Sequence, residues 1–116
     1  MLEERRRFPR LRCSSPVQYR SVLNPQEGFG GSMCRDLSIS GVQMRAPAFL
    51  PLESRLVLLL SLTASLKPIR VVARVVWVRE APVASLHECG LQFLEISPED
   101  REAIAAYIGQ GIPTAS

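Results

Sequence analysis

The chain has 116 residues, of which 47% are hydrophobic and 22% are charged, and its formal net charge is +3. This length and composition are ordinary for one soluble globular domain with its own core. The longest apolar run, Leu56 to Leu60, is far shorter than the roughly 20 residues that span a bilayer. The first residues lack the apolar stretch of a signal peptide. We therefore expect a single domain without membrane insertion.

The three cysteines, Cys13, Cys34 and Cys89, are an odd number and show no CxxC spacing. This pattern predicts neither a disulfide framework nor a zinc site, and it favours the reducing cytoplasm. Cys34 is predicted to be buried and inert. His87 and Cys89 fall on one face of a predicted strand, but two ligands do not make a metal site. We expect no metal and no cofactor.

The net positive charge is concentrated at the N-terminus. Two glutamates there stand against five arginines, which are Arg5, Arg6, Arg7, Arg10 and Arg12, and the rest of the chain has nine residues of each sign. An arginine fork binds phosphates and guanine edges in a bidentate way. We interpret residues 1–15 as a flexible basic arm that binds an anion.

Strand patterns begin after the arm. From Pro16 to Ser21, apolar and polar residues alternate, which is typical of a half-buried strand. Residues 24–31 contain three glycines and a proline and are predicted to form a loop. A second strand is predicted over residues 32–39.

A bend is predicted where the apolar positions change parity. They are odd at Leu37 and Ile39 but even at Val42 and Met44. A side-chain period of two cannot slip by one residue without a turn or bulge, so the backbone must bend at Ser40-Gly41. Glycine would supply the unusual dihedral angles of that bend.

The remaining pattern completes a mainly β protein. Three further strands are predicted over residues 55–62, 69–79 and 86–94. Ser97-Pro98 begins a helix that Gly109 or Gly111 ends. With the alternating segment after Gly41, these make about six short antiparallel strands followed by one helix, a pattern that predicts a small closed barrel, because closure removes exposed edges.

Asp36 and Ser38 form a second cluster with possible binding chemistry. In a strand they point to the same outer face about 6.6 Å apart, and Gly41 lets a ligand approach the backbone. A carboxylate accepts hydrogen bonds from the ring NH and the amine of guanine, while an arginine fork donates to its O6 and N7. The arm and this cluster together complement a guanine nucleotide.

The two clusters resemble the motifs of the PilZ domain family, a bacterial receptor module for cyclic di-GMP. That family is marked by RxxxR, here Arg6 to Arg10, and by a downstream [D/N]xSxxG, here Asp36 to Gly41. The segments 90–93 and 97–101 are also similar to the last strand and the helix of the family. The resemblance implies a six-stranded antiparallel β-barrel with a C-terminal α-helix over residues 16–116, and the basic arm before it.

The resemblance also implies a site for cyclic di-GMP. Arg6 and Arg10 would hold phosphates and guanine faces or edges, and Asp36 and Ser38 would hydrogen-bond a base. Arg5 is a plausible extra contact. The candidate ligand-binding residues are Arg5, Arg6, Arg10, Asp36, Ser38 and Gly41, with Arg7, Arg74 and Trp77 as additional candidates. A tryptophan is by default a core residue, but at the rim it would stack on a guanine.

The predicted function is non-enzymatic reception of a second messenger. Cyclic di-GMP would order the arm and alter contacts with an unidentified protein partner, or within a homodimer if the chain is not a monomer. One alternative is a small-barrel nucleic-acid binder, although the chain is charge-neutral outside the arm. Another is a PilZ-fold interaction scaffold that binds no nucleotide. A single histidine and the lack of a nucleophile with a recognisable base argue against catalysis.

Overall fold

The computed structural model describes residues 10–62, 67–81 and 85–111. Within them, seven antiparallel strands precede one helix. The strands are β1 (Leu11–Arg12), β2 (Pro16–Ser21), β3 (Gly30–Leu37), β4 (Gly41–Ala46), β5 (Arg55–Leu60), β6 (Ile69–Glu80) and β7 (His87–Ile96), and the helix is α1 (Pro98–Gly111). The predicted mainly β fold with a C-terminal helix is confirmed.

Six of the strands close into a barrel. They pair in the order β3–β2–β5–β6–β7–β4, and β4 pairs back with β3. The short β1 lies beside β3, with Leu11 opposite Leu37 and Arg12 opposite Asp36. β1 lies on the same side of β3 as β2, but it pairs with the C-terminal end of β3, whereas β2 pairs with the N-terminal half. The segment 1–15, predicted as a flexible arm, thus includes a short strand at its described end.

Alternate side chains of the strands fill the barrel, and α1 contributes to the same core. Ser97 caps this helix, because its Oγ accepts a hydrogen bond from the backbone nitrogen of Asp100 at 3.1 Å. Residues Ile104 and Ile108 of α1 are buried. The core includes Val17, Leu37, Met44, Leu58, Val71, Val75, Leu91 and Ile104. Polar side chains of the same strands are thereby directed to the outer face.

The cysteine prediction is wrong in one respect. Cys13 and Cys34 form a disulfide, with their Cα atoms 5.7 Å apart. Cys89 is free and buried, and burial raises the pKa of its thiol to about 12. The pair has no signature in sequence spacing, because it arises only when the chain after β1 lies along β3.

The hairpin between β3 and β4 turns at residues 38–41, where the parity change predicts a bend. The backbone nitrogen of Ser38 donates to the carbonyl oxygen of Gly41 at 2.9 Å. The predicted reason for glycine is wrong, because no described glycine, Gly41 included, has a positive φ. A Cβ on Gly41 would instead lie less than 3.0 Å from the backbone oxygen of Leu91. Close approach of β7 therefore requires the glycine.

Three arginines share the carboxylate of Glu88 on the outer face of the barrel. Glu88 accepts hydrogen bonds from Arg35 Nη1 at 3.0 Å, Arg45 Nε at 2.9 Å and Arg79 Nε at 2.8 Å. Burial acts to raise the pKa of Glu88, but the hydrogen bonds and charges of Arg45 and Arg79 outweigh it and lower that pKa. The cluster ties β3, β4, β6 and β7 together.

Replacing Glu88 with glutamine is expected to lower the free energy of unfolding by about 1 kcal/mol at neutral pH, because charge-assisted hydrogen bonds to partly exposed arginines are weakened. The folded-state pKa of Glu88 is lowered, so its stabilisation is present above the ordinary carboxyl pKa and is lost as the pH falls through the lower folded-state value. Urea denaturation of both proteins from neutral to acidic pH measures this difference.

The exposed Glu95, also on β7, provides the matched control. Glu95→Gln should change the free energy of unfolding little at any pH. A Glu88→Gln effect that stayed constant down to acidic pH would contradict the role given to this carboxylate.

Candidate functional site

The register of four strands places four residues in one row across the outer face of the barrel. Asp36 is opposite Gln43, Gln43 is opposite Gly90, and Gly90 is opposite Trp77. This row lines a cavity of about 180 Å³. The cavity is also lined by Arg10, Ser38, Ser40, Gly41 and Gln92. The described residues of the two sequence motifs therefore meet at one site.

Gln43 joins the two motifs. With its amide oriented to satisfy both neighbours, its nitrogen donates to Asp36 Oδ2 at 3.2 Å and its oxygen accepts from Arg10 Nη2 at 3.0 Å. Sequence analysis missed Gln43. The available signal was the parity after the bend, since Val42 and Met44 face the core and Gln43 must therefore face outward.

Ser38 and Ser40 form the polar rim of the cavity at the β3–β4 turn. Their hydroxyl oxygens lie 3.1 Å apart, and Ser38 Oγ accepts a hydrogen bond from the backbone nitrogen of Ser40 at 3.2 Å. Ser38 thus stabilises the turn as well as lining the cavity. Ser38 and Asp36 line the same cavity.

A β-bulge brings Trp77 to the site. The register between β6 and β7 shifts between Val75 and Trp77, which leaves Val76 as an extra residue. Val75 is buried, and the bulge moves Trp77 to the outer face instead of the core. The sequence carries a signal for this shift, because the inward apolar position changes from odd at Val75 to even at Val78.

Gly90 allows the indole of Trp77 to lie close against β7. A Cβ on Gly90 would be less than 3.0 Å from Nε1, Cε2 and Cδ1 of that ring. The guanidinium carbon of Arg79 lies 5.5 Å from the ring centroid, in a cation–π contact. The aromatic wall of the cavity is therefore held by a glycine beneath it and a cation beside it.

Arg74 does not line the cavity. Its Nη1 donates to Glu53 Oε1 at 3.0 Å, and its Nη2 donates to Gln92 Oε1 at 2.7 Å. Gln92 does line the cavity. Arg74 therefore supports a residue of the cavity from outside it.

Some sequence predictions concern residues beyond the described part of the chain. Arg5, Arg6 and Arg7 lie outside the described residues. Within residues 10–62, 67–81 and 85–111, no three potential metal ligands lie together. No helix in the described part of the chain is long and apolar enough to cross a membrane.

The family model of the PilZ domain matches residues 4–110. The chain therefore belongs to the PilZ domain family. No curated protein matches the chain in sequence.

Solved structures share this fold. Bacillus subtilis MotI (DgrA), an inhibitor of motility, matches with a TM-score of 0.76 and 18% identity over 90% of this chain and 49% of that one. The PilZ domain of Escherichia coli YcgR, solved with c-di-GMP, matches with a TM-score of 0.70 and 17% identity over 92% of this chain and 91% of that one. The K. pneumonia MrkH–c-di-GMP complex matches with a TM-score of 0.66 and 18% identity over 90% of this chain and 51% of that one. This chain spans about half the length of the MotI and MrkH chains.

Gly90→Ala is expected to displace the indole of Trp77, because the added methyl group would overlap the ring. Trp77 is the single tryptophan of the chain, so its fluorescence reports this site directly. We expect a shifted emission maximum and stronger quenching by acrylamide.

Gly31→Ala is the control, since a Cβ at that position would meet nothing within 4 Å. It should leave the emission and the quenching unchanged. Identical spectra for the Gly90 variant and the parent would contradict the close packing of the indole on β7.

Proposed function

We propose that this domain is a non-enzymatic receptor that binds cyclic di-GMP in the cavity lined by Asp36, Gln43, Gly90 and Trp77. The observation that carries the proposal is the meeting of Arg10 and Asp36, from two separate motifs, at one cavity. Membership of the PilZ family supports it. The c-di-GMP present with the YcgR domain and with MrkH supports the choice of ligand.

The lining residues match the chemistry of a guanine nucleotide. The Asp36 carboxylate accepts hydrogen bonds from the guanine ring NH and amine, and the Arg10 guanidinium donates to a phosphate or to O6 and N7. Trp77 offers an aromatic face for stacking at the rim. Ser38 adds a hydroxyl group, and Gly41 lines the same cavity.

In this proposal, Gln43 makes hydrogen bonds in the free protein that the bound ligand would replace. Its amide uses one oxygen of Asp36 and one nitrogen of Arg10. A bound guanine would replace these hydrogen bonds with its own, so Asp36 and Arg10 have hydrogen-bond partners both before and after binding. Gln43 thereby keeps the two charged groups at a separation that a nucleotide can bridge.

The arginines before Arg10 complete the proposed site. Arg6, with Arg5 and Arg7 as further cations, would engage the phosphates of the ligand. Binding would order this segment and present a new surface to a downstream protein or to a second copy of the chain. Such a receptor would act in the cytoplasm, where the nucleotide is available.

Calorimetric titration at moderate salt tests the proposal. We expect the protein to bind cyclic di-GMP with a dissociation constant of tens of micromolar or lower. Arg10→Ala and Asp36→Ala should each weaken binding at least about tenfold, because each removes a charge-assisted contact.

Arg70→Ala is the matched control, since Arg70 is exposed on β6 and does not line the cavity. It should bind like the parent. A folded parent that bound no cyclic di-GMP would overturn the proposed function. Parent-like binding by both site variants would overturn the site assignment alone.

A further inference from the structure

A covalent bond links the strand next to Arg10 to the strand that carries Asp36. Arg10 directly precedes β1, Arg12 of β1 is opposite Asp36, and Cys13 follows at once. The disulfide joins Cys13 to Cys34, two residues before Asp36 on β3. The bond therefore lies beside the proposed ligand site and not at a remote position.

Few other contacts hold β1 to β3. The pairing comprises two residue pairs, with one more backbone hydrogen bond on each side of the disulfide. Cys13 N donates to the Arg35 carbonyl oxygen at 3.0 Å, and Cys34 N donates to the Ser15 carbonyl oxygen at 2.8 Å. A two-residue strand adds little stability of its own, so the covalent link restricts this segment strongly.

The disulfide is accessible from one side. Cys13 is half-buried, whereas Cys34 is only 2% exposed. Both cysteines line a surface groove of about 800 Å³, which the guanidinium-bearing residues Arg12, Arg35 and Arg45 also line. Cations around a cysteine stabilise the thiolate and attract an anionic thiol. Cys13 is thus placed for attack, with Cys34 behind it.

We propose that Cys13 and Cys34 are a reversible thiol–disulfide exchange site whose oxidation state sets the affinity of the cavity for cyclic di-GMP. This inference rests on the proposed function. Disulfides in reducing compartments are commonly transient or redox-sensing. The exchange partner is a low-molecular-weight anionic thiol of the glutathione class, since that charge fits the cationic groove.

Oxidation of Cys13 and Cys34 proceeds by two successive substitutions at sulfur. The Cys13 thiolate attacks one sulfur of glutathione disulfide, forming a mixed disulfide and releasing one glutathione thiolate. The Cys34 thiolate then attacks the Cys13 sulfur, which forms the internal bond and releases the second glutathione thiolate. The two cysteines lose two electrons and two protons, and glutathione disulfide gains both. Reduction is the reverse of these steps.

Oxidation acts on the site by holding β1 in place. In the oxidised protein Arg10 stays within reach of Gln43 and Asp36, so little freedom remains to be lost when ligand binds. In the reduced protein β1 is held only by its short pairing, the two flanking backbone hydrogen bonds and the packing of Leu11 against the core, and ligand binding must also fix this segment. Cys89 takes no part, because it is buried and burial raises its thiol pKa to about 12.

Calorimetry with cyclic di-GMP on the oxidised and the fully reduced protein tests the inference. We expect oxidised protein to bind at least about fivefold more tightly, through the higher effective concentration of Arg10 at the site. Cys13→Ser should bind like the reduced parent under both conditions. Cys89→Ala should keep the full difference between the two states.

Two ligand-free measurements accompany the titration. In glutathione redox buffers, labelling of the denatured protein should find one thiol in the oxidised state and three in the reduced state. Hydrogen exchange of the amides in residues 11–13 should accelerate upon reduction.

The failures are distinguishable. Equal ligand affinity in both states would overturn this inference and leave the proposed function intact. Absence of binding in both states would overturn the proposed function. Three thiols under oxidising glutathione buffer, or unchanged hydrogen exchange at residues 11–13, would overturn the exchange site whatever the ligand data.

Discussion

Pairing of β3 with β4 is the constraint on which the site depends. It closes the six-stranded ring and sets Asp36 opposite Gln43. From Gln43 the register continues through Gly90 to Trp77. On the side of β3 opposite β4, β2 pairs only with the N-terminal part of the strand. β1 pairs with the C-terminal part there and brings Arg10 to the same cavity. One sheet geometry therefore positions groups that are far apart in sequence.

Two of the three register shifts among the described strands adjust this geometry. The register of β3 against β4 shifts between Cys34 and Asp36, and that of β6 against β7 shifts between Val75 and Trp77. A shift of one residue reverses which face a side chain occupies. Without the second shift Trp77 would enter the core. Irregular strand pairing thus places the Trp77 ring and the Asp36 carboxylate in the wall of the same cavity.

Alternation and turn chemistry in the sequence were sufficient to predict the six strands of the barrel, the bend at Ser40-Gly41 and the helix that starts after Ser97, but not the short β1. The side-chain period of a strand was sufficient to predict that Asp36 and Ser38 lie on one outer face, and both line the cavity. Gln43 and Gly90 were missed because their role comes from strand register, which depends on long-range pairing. The Cys13–Cys34 bond was missed for the same reason. Local patterns predict elements, whereas neighbours across strands emerge only when the barrel closes.

The cluster around Glu88 would affect how quickly the proposed anionic ligand arrives. Three guanidinium groups surround one carboxylate, which leaves two positive charges uncompensated there. Arg45 and Arg79 lie two residues along their strands from Gln43 and Trp77, a distance of about 7 Å and so within one Debye length at physiological salt. A diffusing dianion is drawn to this edge of the barrel before it makes any contact. The same ion pairs that join four strands therefore make the encounter rate of an anionic ligand decrease as ionic strength rises.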